Sequence, residues 1–187
     1  MARNTLARSM HDVGLAVWFG GSLMGAVGLN AASGAVQDPR QRAQVATEGW
    51  GRWAPVNAAA IGAHLVGGLG ILLANRGRLR HQKGVAAMTV SKTALTGLAI
   101  AATALSGAEG AKVAQRPDVP VRNGAVPLPE TPDDVAGAQQ KLRGLQWAIP
   151  AATAGLLVLN ALAGEQQRTS EVHRGVAKKL RQRAPGR

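Results

Sequence analysis

A chain of 187 residues, 46% apolar and 17% charged, is one domain long. Its lack of cysteine excludes a disulfide framework and a thiolate metal site. The formal charge of +12 asks for an anionic partner; because the cations stand beside apolar runs and form no stripe, that partner is a lipid bilayer with anionic headgroups, not nucleic acid.

Charges gather in short blocks between four apolar stretches, whereas a soluble amphipathic helix would carry one every three or four positions. The pattern predicts an all-α, integral membrane four-helix bundle. Its spans fall at about residues 12–31, 54–75, 88–108 and 144–164. External loops cover 32–53 and 109–143, and a basic cytoplasmic tail covers 165–187. Arg3 and Arg8 ahead of the first run also fit a signal peptide, but the run is long for one, and keeping it gives an even number of spans.

The first stretch, DVGLAVWFGGSLMGAVGLN, begins at Asp12, after which no charge occurs until Asp38. Trp18 inside it reads as packing, while Trp50, Trp53 and Trp147, at the borders of apolar runs, read as an interfacial belt. In the first connection, Asp38-Pro39 predicts a short helix on the outer surface up to Gly49. The connection after the second span places Arg76, Arg78, Arg80 and Lys83 within eight residues with no acid. The tail adds Lys178, Lys179, Arg181 and Arg183, with Val172, Val176 and Leu180 at helical spacing. These lipid-facing cations place both termini and that turn in the cytoplasm of a bacterial inner membrane. Alanine, glycine and arginine richness fits a high-GC bacterium.

The third span reaches membrane length only by including Lys92, whose stem can snorkel from about one turn inside the helix. Asp12 is the carboxylate at the same level, so an Asp12–Lys92 structural ion pair is predicted. Beyond the third span, Pro117, Pro120, Pro127, Pro129 and Pro132 exclude a helix and predict an extended, mobile excursion. A helix then starts at Asp133 or Asp134 and bends at Pro150.

Close backbone approach is expected at Gly21 and Gly25, Ala63 and Gly67, Gly97 and Ala101, and Ala151 and Gly155. Asn30 and Asn57, level near the outer ends of the first two spans, are expected to satisfy each other. His64, in mid-span, is a buried polar residue bonded to Ser22 or Thr96, or a haem or copper ligand, with Met24 as the second ligand closest in depth. His11 lies about 15 Å from the midplane by helix rise, too shallow to meet it.

The opening HDVGLAVWFGGSL, with His11, Trp18, Gly20 and Gly21, resembles the first helix of copper-resistance D-type and related uncharacterised four-helix bacterial membrane proteins. That resemblance covers about the first 75 residues and implies copper handling, although no methionine-rich or histidine-rich external segment is present to capture the ion. No HExxH, GxSxG, P-loop or paired intramembrane carboxylates occur. The expected function is therefore a non-catalytic accessory, assembly or scaffold subunit, associating with other membrane subunits or with itself. The rivals are a haem or copper protein centred on His64 and an oligomeric small-solute transporter.

Overall fold

The computed structural model describes residues 4–76 and 83–165. It is an all-α four-helix bundle with helices α1 (Thr5–Ser33), α2 (Arg42–Ala74), α3 (Lys83–Ala114) and α4 (Asp133–Glu165). All four are long and apolar enough to cross a membrane. Arg76 is exposed, Arg78, Arg80 and the tail cations lie outside the described residues, and nothing is described of the Lys83 side chain.

Each helix outruns its predicted span. At 33 residues, α2 is about 50 Å long against a hydrocarbon core of about 30 Å. The separate surface helix expected before Gly49 does not exist: Arg42 to Ala74 is one helix, continuing through Pro55. Proline at that place removes one backbone donor without ending the helix, because the flanking turns pack on α1, Trp53 over Gly21 and Ala60 over Gly14. The same holds for Pro150 within α4, where the Thr153 hydroxyl donates to the Ile149 carbonyl at 2.8 Å.

α1 carries one wide turn, Gly25–Leu29, in an otherwise α-helical run. Two of its five residues are glycines, and the Trp50 ring occupies the space that a side chain at Gly25 would fill. The extra residue keeps Ala26, Asn30 and Ser33 on the buried face that Leu15, Trp18 and Ser22 begin.

The helices pack as two antiparallel pairs, α1 with α2 and α3 with α4, joined mainly through α1 against α4. α2 and α3 barely touch. Leu15 and Trp18 of α1 form the main core with Ala99 and Ala102 of α3 and Ile149, Ala152 and Leu156 of α4. Alanine on α3 lets that helix approach closely.

The proline-rich segment is a cap, contrary to the mobile excursion expected of it. Strands β1 (Val121–Asn123) and β2 (Val126–Pro127) pair antiparallel, with Val121 opposite Pro127 and Asn123 opposite Val126. A second small core of Ala43, Val113, Val121, Val135 and Ala138 holds this hairpin to the helix ends. Pairing leaves polar edges, and they are satisfied locally. The Val121 amide donates to the Pro39 carbonyl at 3.1 Å, and the Gly124 amide donates to the Ser33 hydroxyl at 2.8 Å. The Arg42 guanidinium donates to the carbonyls of Val36 at 2.8 Å and of Val121 and Arg122 at 3.4 Å each. Arg42→Met is expected to weaken the cap by about 1 kcal/mol, or about fivefold faster amide exchange at Val121 with the helix interiors unchanged. Unaltered exchange there would show that the arginine is a bystander.

Candidate functional site

The histidines meet where sequence depth kept them apart. Their rings stack with centroids 4.0 Å apart and planes 18° from parallel. His11 Nδ1 donates to the His64 carbonyl at 2.9 Å, and His64 Nδ1 donates to the His11 carbonyl at 3.0 Å. A carbonyl only accepts, so both Nδ1 atoms carry the proton, and in a neutral ring the lone pair sits on Nε2.

Two glycines make this possible. A Cβ at Gly14 would lie 2.4 Å from the Ala60 carbonyl oxygen and 2.7 Å from the His64 nitrogen. A Cβ at Gly67 would lie 2.4 Å from the Ala7 carbonyl oxygen and 2.5 Å from the His11 nitrogen. The crossing is reciprocal: Ala7, His11 and Gly14 of α1 repeat the spacing of Ala60, His64 and Gly67 of α2. That repeated Ala-x3-His-x2-Gly was the signal available in the sequence, and helix rise alone could not supply the register it dictates.

Several expected partners separate accordingly. His64 bonds neither Ser22, whose hydroxyl donates to Phe19 of its own helix at 3.0 Å, nor Thr96, which is half-buried on α3. Met24 is 61% exposed and faces away, so no His/Met ligand set forms with His64. The Asp12–Lys92 pair does not reach ion-pair distance; Asp12 instead accepts from Asn160 Nδ2 at 3.5 Å. The carboxylate of the exposed Asp12 points to α4.

The small residues also divide. Gly21 and Gly25 are packed under Trp53 and Trp50, Gly67 under α1, and Gly155 against Leu95. Ala63 is half-buried, while Gly20, Gly97, Ala101 and Ala151 lie on exposed faces. Trp50 and Trp53 are half-buried and pack on α1, whereas Trp147 is 51% exposed.

Trp18, fully buried, stands edge-on to His64 with centroids 6.2 Å apart and donates from its indole to the Thr103 hydroxyl at 3.2 Å. On its other side lies a cavity of about 350 Å³ between the four helices, reaching up to Gly124 of the hairpin. Trp50, Trp53, Asn57 and Gln146 contribute to its lining. Asn30 does not pair with Asn57. Its Nδ2 donates to Gln146 Oε1 at 2.8 Å, and its Oδ1 accepts from the Trp50 indole at 2.9 Å. Asn57 Oδ1 is left buried with no partner. Depth predicted which residues were level but not that α4 would bring a glutamine to Asn30.

Among the described residues, no group of three or more histidine, cysteine or acidic side chains is placed to hold a metal. Two stacked imidazoles do not fit a haem axial pair, which must face each other across the iron. No family model, curated protein or solved structure matches the chain.

Proposed function

We propose that the chain is a multi-pass protein of a bacterial inner membrane that acts, without catalysis of its own, as an accessory, assembly or scaffold subunit. The observation that carries this reading is what the helices leave outside. Val13, Val66, Leu69, Leu73, Val90 and Leu98 are all more than half exposed, and the apolar windows of α2 and α3 are only 17% and 11% buried within the bundle. Such faces need lipid or another helix to cover them. The positive-inside rule then puts both termini in the cytoplasm and the hairpin outside, with the tail and its basic residues on anionic lipid.

The test is purification of the full chain in mild detergent, with reporters fused to each terminus in cells. Stoichiometric copurification of a membrane partner and cytoplasmic reporting from both ends are expected. A chain that stays in solution without detergent, or ends that report opposite compartments, would remove the membrane reading; a homogeneous chain with no partner would remove the accessory role. The copper or haem reading draws on His64 and its neighbour His11. A Soret band or stoichiometric copper lost in His64→Ala would favour it over the accessory role.

A further inference from the structure

The cavity below the hairpin is bordered by residues whose oxygen acceptors lack their ordinary donors. Pro55 has no N–H, so the Gly51 carbonyl one turn earlier loses its helical donor, and Pro150 does the same to the Gln146 carbonyl. Gly51 and Gln146 both line the cavity, on different helices. Asn57, also in the lining, adds a side-chain oxygen that is buried and unpartnered. The terminal amide torsion of asparagine is soft, so a small rotation presents that oxygen to an occupant.

The rest of the wall is mostly apolar, with Trp18, Trp50 and Trp53 offering indole faces or edges, while the Ser22 and Thr103 hydroxyls and the Asn30 and Gln146 amides there are already hydrogen-bonded. At about 350 Å³ it sits at the lower end of the roughly 300 to 1,000 Å³ range of small-molecule sites. The exposed Gly51, Gly107 and Ala111 are also part of its lining, where α2 and α3 barely touch. We propose that this cavity binds a small planar, largely apolar molecule bearing a hydroxyl group, whose O–H donates to Asn57 while its ring packs among the tryptophans. The site rests on the membrane reading only for its route of entry, which is lateral, between α2 and α3.

The test uses the full chain in mild detergent, dialysed to equilibrium against the same detergent so that micelle partition cancels. The probes are 2-naphthol and 2-methoxynaphthalene, which share a ring system and differ in the donor. Saturable binding of 2-naphthol is expected, about tenfold tighter than that of 2-methoxynaphthalene. Asn57→Leu should bring the two within about twofold of each other while leaving the methoxy compound bound. Ser106→Phe, which fills the cavity from α3, should weaken both. Absence of saturable binding, equal affinity for the two probes, or a hydroxyl preference that survives Asn57→Leu would each overturn the proposal. If Asn57→Leu fails to fold, Ser106→Phe decides: unchanged binding of 2-naphthol there places the probe elsewhere. None of these outcomes depends on whether a protein partner copurifies.

Discussion

Gly67→Leu is expected to cost about 3 kcal/mol or more, because its first side-chain carbon falls on backbone atoms that have no rotamer to escape into. The Ala7 carbonyl and His11 nitrogen can yield only if the whole of α1 moves away from α2. That movement would lengthen both histidine-to-carbonyl hydrogen bonds and unstack the rings, so the loss is shared by everything at the crossing. Thermal unfolding in detergent and the yield of monodisperse protein measure it. Gly97→Ala is the contrast. Nothing lies within 4 Å of a Cβ there, so alanine should be neutral or stabilising by up to about 1 kcal/mol. Equal tolerance of the two substitutions would mean that α1 and α2 do not cross as described.

Asn30→Leu should be nearly as damaging, at about 3 kcal/mol, for a different reason. Asn30 is 5% exposed and serves two neighbours at once, so leucine strands both the Gln146 oxygen and the Trp50 indole N–H. Asn57→Leu, by comparison, removes an oxygen that has no partner and should cost less than about 1 kcal/mol. A double substitution, Asn30→Leu with Gln146→Leu, should cost less than the sum of its parts, since the stranded oxygen goes with its partner. Strict additivity would show that the 2.8 Å contact contributes nothing.

The four helices were legible because uncharged runs of membrane length can be little else, and the start at Asp133 because a carboxylate there favours a helix N-terminus. What the sequence left open was the facing of each helix. Gly21, Gly25 and Gly67 are packed, while Gly97, Ala101 and Ala151 have the same spacing and face outward. Small residues at helical intervals permit a close approach on one face without saying which face has a neighbour. The histidines meet for a related reason: depth along a single helix carries no offset between two, and helices that interlock at Gly14 and Gly67 choose their own. The proline segment shows the opposite case. Proline density excluded helix correctly but carried no information on packing, which came from Val121 and its bond to Pro39.

Near the hairpin end, Glu109 is 7% exposed and accepts from Lys112 at 2.9 Å and Lys141 at 3.0 Å, tying α3 to α4. Hydrocarbon solvates such a three-ion cluster poorly, so in a bilayer the acyl chains cannot rise past it without a large penalty. On the proposed membrane reading, immersion depth on that side would thereby be limited by charge as well as by length. On the same reading, the hairpin and its small core beyond the cluster would stand in the headgroup layer or in water and obey the ordinary rules of an aqueous domain.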